Sequence, residues 1–343
     1  MIYFFILLLL AYWSAYRNRS AKLIYLPFLV LFLFSAFRVD AGYDYGSYVQ
    51  VLNSGFYLFL FEPVPLILGF ISNFLENSQI FFILTAGFLL LGLYFFLKKE
   101  QQKFLFLILY FSLPLCFLDS FSIVRQFLAA SFILIAYSLF SRNKLLSLFF
   151  FVLTAFAHKT ALVAILPLIV LLISYKFFAK FLYLFALPII ILISSSVYFL
   201  VPRLDYFNNI DISGAYGIKG AIFWLVLTLP FIAISKKYQS AYNDPILSIT
   251  IIGLGLFAGL SFYGYFVTRI FVFFAPFATL FIARSIEVHF KKYSTKVAFL
   301  VSTLSLSMAL YGASSNADFD FLNNYKIYPS ECSNCNIRLE EDF

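Results

Sequence analysis

Long apolar blocks separated by short polar interruptions run the whole length of this chain. Blocks of this kind read as membrane-spanning helices, because about 20 residues rising 1.5 Å each cross a hydrocarbon layer about 30 Å thick. They predict twelve crossings, at roughly 1–16, 23–37, 79–97, 104–118, 120–140, 145–157, 160–175, 181–200, 220–235, 246–262, 267–285 and 297–312. The first block has no basic stretch before it and no small-residue cleavage site after it, so it reads as a helix rather than a secretory signal. Between the blocks lie six short basic loops: Arg17/Arg19/Lys22, Lys98/Lys99/Lys103, Arg142/Lys144, Lys176/Lys180, Lys236/Lys237 and Lys291/Lys292/Lys296. Basic residues collect in the cytoplasmic loops of multi-spanning proteins, which puts all six inside and both termini outside. Residues 63–76 (PVPLILGFISNFLE) break the pattern, being apolar but short and opening on Pro63 and Pro65. A full crossing there would turn the Lys98 loop outward. A re-entrant or half-crossing helix is expected instead, a geometry tolerated where protein surrounds it. The fold class that follows is all-α: a polytopic membrane helix bundle forming one domain over 1–312, then a short tail over 313–343.

Against this apolar background one stretch is densely polar. Residues 38–62 place Arg38, Asp40, Asp44 and Glu62 within 25 positions, with Tyr43, Tyr45, Tyr48 and Asn53 among them. With the topology above, this segment faces outward. So do Asp119 and Arg125 in FLDSFSIVRQFLAA, His158 and Lys159 at the end of FVLTAFAHKTAL, Arg203, Asp205 and Asp211 in the outer loop 201–219, and Arg269 in TRIFVFFAPF. The six basic loops set the topology independently of these residues. Their collection on one side is the internal sign of a polar site at the outer membrane surface.

Composition narrows the classes. The chain is 63% hydrophobic and only 12% charged, with a mean hydropathy of +0.95. A net charge of +8 would suggest nucleic acid in a soluble protein. Here the basic residues are the inner loops themselves, so no nucleic-acid partner is implied. Cys332 and Cys335 have CxxC spacing in the tail, but a zinc site needs further ligands and none lies near, which leaves a small disulfide or two free thiols. No internal repeat of the kind that builds secondary transporters is visible.

Arg125 is the sharpest single clue. It lies about six residues into an apolar helix, where an arginine costs a few kcal/mol or more and therefore carries a partner or a function. Ser122, Arg125, Gln126 and Ala129 share one helical face. The alternative is that Arg125 snorkels to the interface or pairs with Asp119 or Glu62. Arg269 stands at the outer start of another apolar run, Arg38 at an interface, and Arg203 in a loop. Guanidinium forks bind phosphate oxygens in pairs and stay charged at any working pH, so several converging arginines point to a phosphate- or diphosphate-bearing substrate. His158 is a candidate general base, since imidazole as a class titrates near neutrality. The alternative for a lone histidine is a structural role. Glu62 and Asp44 are rival bases, although Glu62 before Pro63 also suits a helix N-terminus. Asp40 and Asp44 alone are a weak metal signal. Tyr45 and Tyr48, alternating with polar residues, are candidates to stack on sugar rings, with Gln126 lining the same site.

These motifs in order, R-V-D-x-G-x-D-Y-x-x-Y from Arg38, then Glu62-Pro63, S-I-V-R-Q-F-L-A from Ser122, A-F-A-H-K-T-A-L from Ala155, a late Thr268-Arg269 and the tail Y-K-I-Y-P at 325–329, resemble the EpsG-like branch of Wzy-type polysaccharide polymerases. Val39 stands where that family often has glycine, and Pro63-Val64 replaces its more usual Pro-Gly. The resemblance implies a GT-C-like glycosyltransferase of the bacterial inner membrane, working at its periplasmic or external face. Such an enzyme passes a growing glycan from an undecaprenyl diphosphate carrier to the next lipid-linked repeat unit, with inversion and without metal or cofactor. A flippase and a chain-length regulator would be its protein partners, and bilayer lipid its surroundings. On this expectation Arg125, Arg269, Arg38 and Arg203 hold the diphosphate, His158, Glu62 or Asp44 acts as base, and Asp40, Tyr45, Tyr48 and Gln126 bind substrate. Two other classes fit less of the pattern. A metal-dependent GT-C transferase with a polyprenyl monophosphate donor would use Asp40 and Asp44 for the cation, and a lipid-linked glycan flippase would spread its charges along a path through the bilayer. An O-acetyltransferase built on His158 has no wider motif behind it.

Overall fold

The computed structural model describes residues 25–42, 44–54, 58–59, 61–181, 215–235, 245–261, 264–314 and 326–327, together with Leu9, Trp13 and Ile191. Thirteen helices can be followed through them: α1 (Tyr25–Ala36), α2 (Tyr45–Ser54), α3 (Pro63–Phe74), α4 (Gln79–Leu97), α5 (Lys103–Ser112), α6 (Val124–Phe140), α7 (Lys144–Ala157), α8 (Leu162–Phe181), α9 (Ala215–Ser235), α10 (Pro245–Gly259), α11 (Tyr265–Phe271), α12 (Ala275–His289) and α13 (Ser294–Ser314). Two single turns of 3-10 helix, Phe117–Phe121 and Lys159–Ala161, lead into α6 and α8. The fold is all-helical apart from a two-residue antiparallel ladder, in which β1 (Arg38–Val39) pairs with β2 (Lys326–Ile327) from the tail.

The core is a stack of apolar helices. α6 lies between α4 and α7, α1 packs on α4, and α10 and α12 form a second centre flanked by α8, α9 and α5. A small residue brings α4 and α6 together: a Cβ at Gly92 of α4 would sit 2.7 Å from the Ser131 carbonyl oxygen of α6, so only glycine lets the two backbones come this near. α4 is 19 residues of nearly unbroken apolar sequence, and it falls on the expected crossing 79–97 to the residue. α4 and the Gly217–Ile234 part of α9 are each long and apolar enough to cross a bilayer, and seven further apolar helices among the described residues are shorter. Large apolar side chains face outward, among them Phe74 at 85%, Leu145 at 79% and Val226 at 69% exposure. Water would penalise such a surface and lipid would not. The chain is a membrane-associated protein.

Several boundaries differ from expectation for local reasons. The crossing expected over 104–118 ends at Ser112, because Leu113 precedes Pro114 and is forced into extended backbone (ψ 143°). The chain then turns through Leu115 at φ 61° and the Phe117–Phe121 turn before α6 begins at Val124. The run over 267–285 is two helices, α11 and α12, separated by a turn before Pro276. α9 begins at Ala215, inside the expected outer loop 201–219. The polar stretch 38–62 contains an unexpected helix, α2, whose Tyr45, Tyr48 and Leu52 point inward at i, i+3 and i+7 while Gly46, Ser47 and Gln50 face out. The short apolar stretch 63–76 is indeed a 12-residue helix, α3, and proline is tolerated in its first turn because those N–H groups have no partner there. Nearly all of the expected crossings at 1–16 and 181–200, Arg203 and the rest of 201–214, Tyr43, and the Cys332–Cys335 pair lie outside the described residues.

Candidate functional site

The site is built where three helix ends meet. Glu62 precedes α3. Its carbonyl accepts the helix's first bond from Leu66, but its side chain makes no capping bond to the helix and reaches away instead. Arg125 sits in the first turn of α6, and His158 terminates α7 in an extended conformation just before the Lys159–Ala161 turn. The Glu62 carboxylate divides between them: Oε2 accepts from Arg125 Nη1 at 2.7 Å, and Oε1 lies 2.7 Å from His158 Nδ1. Exposure of the three side chains runs from 25% for Arg125 through 13% for Glu62 to 6% for His158, so the guanidinium is the open end of the cluster and the imidazole its buried end.

Aromatic residues hold Arg125 in place. Its Cζ lies 5.0 Å over the Phe61 ring and 5.9 Å over Tyr48, and its Nε donates to Tyr48 Oη at 3.4 Å. No described residue accepts from its Nη2. A guanidinium fork therefore presents a pair of donors away from Glu62. The pairing weighed for Arg125 from sequence, with Glu62, is realised, and the carboxylate is shared with His158. Asp119, the other partner considered, turns to the Leu115 backbone N–H at 2.8 Å.

Electrostatics separate the two rival carboxylates. Burial pushes the Glu62 carboxyl up, but the His158 hydrogen bond and the Arg125 charge outweigh burial and bring it from 4.5 to about 2. Asp44, just before α2, moves the other way: burial raises it, and the opposing charges of Arg269 and Arg125 pull it only part of the way back. Both arginines act on Asp44, so Arg269 lies within charge range of that carboxylate. α11, which carries Arg269, also packs on the Lys159–Ala161 turn that follows His158.

The other candidates differ in their surroundings. Tyr48 belongs to the cluster. Tyr45 is buried, stacked on Phe82 with centroids 4.7 Å apart and its hydroxyl 3.4 Å from Gln79 Oε1; Gln126 is buried within α6. Asp40 is exposed, in left-handed backbone at φ 52°. Arg38 is engaged with other groups: it is 1% exposed, its Cζ lies 4.9 Å over both Phe82 and Phe121, and its Nη1 donates to the Ser35 carbonyl at 2.6 Å. Its long side chain thus ties β1 to the segment that starts α6. Among the described residues no group of three or more His, Cys, Asp or Glu side chains is placed to hold a metal.

Sequence reasoning missed two residues that matter here. Phe61 is not among the sequence candidates, although an aromatic directly before Glu62 is a usable signal. Gly42 was read only as part of a motif. It adopts φ 97°, and a Cβ there would fall 2.1 Å from the Phe121 carbonyl oxygen, so the segment can dock on the entrance to α6 only as glycine.

Glu62, Arg125 and His158 make the cluster, with Arg269 in charge range of Asp44 nearby, and four distant parts of the sequence supply them. No curated protein and no solved structure matches the chain. A family model does, that of the EpsG family, over residues 21–329, which takes in every residue of the cluster and the tail strand β2. The match supports a general polysaccharide-polymerase, glycosyltransferase-like role on a lipid-linked glycan, and by its extent the chain belongs to the EpsG family.

Proposed function

We propose that this chain is a polysaccharide polymerase that passes a glycan from an undecaprenyl diphosphate carrier to a lipid-linked repeat unit at the outer face of the bacterial inner membrane. The bundle would make about twelve crossings, with α3 entering only part of the bilayer. The observation that carries the reading is the Glu62 carboxylate shared between Arg125 and His158 at 2.7 Å each.

On this reading His158 is the base. A carboxylate accepting from Nδ1–H fixes the tautomer that leaves a lone pair on Nε2. Nε2 takes the proton of the acceptor sugar hydroxyl while that oxygen attacks the anomeric carbon. The bond from that carbon to the diphosphate oxygen breaks, and the diphosphate leaves with the electron pair. Direct displacement inverts the anomeric centre. Arg125 and Arg269 stabilise the charge that grows on the leaving diphosphate, which donors already in place do without reorganising. Glu62 is ill suited to be the base, because a carboxyl held near 2 has little affinity for a proton at neutral pH. Asp44 is the second reading for that role, favoured by its raised carboxyl beside both arginines. Arg38 would position the segment, and Tyr48 would orient Arg125. Asp40 and Asp44 holding a catalytic cation is not favoured, since Asp44 lies in the field of two arginines.

The test is the profile of lipid-linked and surface glycans in cells with and without the chain, with EDTA-treated membranes alongside. Single repeat units should accumulate on the lipid when the chain is missing, and polymerisation should survive EDTA. The same accumulation should follow from Arg125→Ala in a chain that still inserts normally. Unchanged polymer length in cells lacking the chain would remove the proposal.

A further inference from the structure

The ladder between β1 and β2 joins residues almost three hundred positions apart. Arg38 pairs with Ile327 and Val39 with Lys326, antiparallel. Two residues of ladder are worth little by themselves. Their position gives them weight. β1 follows α1 after a single residue, and its backbone is already gripped from α4, where Gln79 Nε2 donates to the Ala36 carbonyl at 2.6 Å and to the Arg38 carbonyl at 3.1 Å. The Arg38 side chain spans from Ser35 to Phe121, and Gly42 seats the following turn against the Phe121 and Ser122 backbone. Three residues beyond Ser122 is Arg125. A short path of contacts therefore runs from the tail strand through β1 to the first turn of α6.

We infer that the tail strand Lys326–Ile327 is a positioning element of the Arg125–Glu62–His158 cluster, strapping β1 from the membrane face on which the cluster lies. The C-terminal tail then shares that face. The strap acts through β1 and Arg38 on the angle at which α6 presents its guanidinium, and it touches no substrate itself. This rests on the polymerase reading for its consequence but not for its geometry. Two further observations agree with it. The family match runs on past α13 to residue 329, just beyond β2. The 11 residues between Ser314 and Lys326 also span about 36 Å when extended, enough to return from the end of α13 to β1.

Two measurements on the full-length chain in its membrane test the inference. In a Cys332→Ser/Cys335→Ser background, Val39→Cys with Lys326→Cys should form a disulfide on mild oxidation, because antiparallel partners lie about 4.5–5.5 Å apart at Cα and a disulfide needs about 4.4–6.8 Å. The link is read as two fragments staying joined after cleavage at a protease site inserted in the 201–214 region. The single Lys326→Cys variant should be labelled in intact cells from the outer side by a membrane-impermeant thiol reagent. Chains ending at Pro329 and at Tyr325 are then compared on lipid-linked repeat units. The first should keep its turnover. The second should lose about tenfold or more in kcat while KM for the donor stays within about threefold, as expected when a group acting in the transition state is misplaced by a fraction of an ångström. A Lys326→Cys chain labelled only from the inside, a pair that does not link, or a Tyr325-ended chain at full kcat would each overturn the strap. Failure of the uncut chain to polymerise would remove the polymerase reading and leave the cross-link result standing.

Discussion

Replacing Glu62 by Gln tests the centre of the site, since it keeps the shape of the side chain and removes the charge that Arg125 and His158 share. Two charge-assisted hydrogen bonds are weakened, each worth about 1.5–3 kcal/mol in a buried setting. Linkage gives a smaller figure. A carboxyl held at about 2 in place of 4.5 corresponds to about 3 kcal/mol, and screening at a cluster open on its Arg125 side reduces that to about 1–2 kcal/mol. The linkage figure is the better guide, because bond counting ignores the water that replaces what is lost. The sign is fixed by the direction of the change. A depressed carboxyl stabilises the fold fully above its unfolded value near 4.5, and that contribution fades as pH falls toward about 2. Melting of the purified protein in detergent should thus show wild type ahead of Glu62→Gln at pH 7, with the gap narrowing below about pH 4.5. Turnover should fall further than stability, by about 10²–10⁴, since an unoriented imidazole spends most of its time in the wrong tautomer or rotamer. Turnover of lipid-linked repeat units into a ladder on gels reads this directly. A Glu62→Gln protein polymerising within threefold of wild type would refute the orienting role, even if its melting point dropped as expected.

Arg125→Lys should be as inactive as Arg125→Ala in the same ladder assay, because an ammonium cannot bond Glu62 and Tyr48 at once and still offer a paired fork; rescue by lysine would reduce Arg125 to a point charge. Gly42→Ala should insert poorly or melt lower by several kcal/mol, since its Cβ overlaps the Phe121 carbonyl and the residue sits at φ 97°, and a normal melting curve would contradict the packing described. Asp119→Asn should remove a loss of stability that wild type shows as pH rises from about 4 to about 6. Burial raises that carboxyl to about 6, so the unfolded chain ionises first and unfolding is favoured over that range; identical melting curves against pH would show that Asp119 is not buried as a neutral acid.

How far the sequence reaches depends on what each residue answers to. α4 was legible to the residue because composition alone decides a 19-residue apolar helix. α2 was not, because its inward Tyr45, Tyr48 and Leu52 are two-thirds aromatic and sit among polar residues that look like loop. The break at Ser112 is written in Pro114, but the apolar run around it hides the signal. In the site, motif order brought Glu62, Arg125, His158 and Arg269 together as candidates. It kept Arg38 among the diphosphate candidates with Arg125, although Arg38 stood only at an interface while Arg125 lay inside an apolar run. What separates them is the surroundings: Arg38 spends donors on carbonyls between two rings, whereas Arg125 keeps a pair of donors clear of Glu62. The ladder to the tail was beyond reach, because two residues of strand have no periodicity to detect.

The charges of the cluster bear on how a diphosphate would enter it. Glu62 binds Arg125, and Asp44 lies in the field of Arg125 and Arg269, so with both acids ionised the two positive charges are matched in number. A diphosphate arriving there would meet no net attraction from the cluster. The two acids differ in what they can give up. Glu62 is bound by His158 and Arg125 and stays ionised at any pH the cell offers. Asp44 has its carboxyl raised by burial, so the approach of a second anion, which raises it further, would favour taking up a proton there. Protonated Asp44 no longer offsets the charges of Arg125 and Arg269, which then act undiminished on the incoming phosphates. On the proposed reading, then, Asp44 balances the charge of the arginines until the donor arrives, and Asp44→Asn should tighten donor binding without removing the His158 base. If instead Asp44→Asn abolished turnover at saturating donor while leaving KM untouched, the proton of the acceptor would be going to Asp44, and His158 would be the residue that merely holds Glu62 in place.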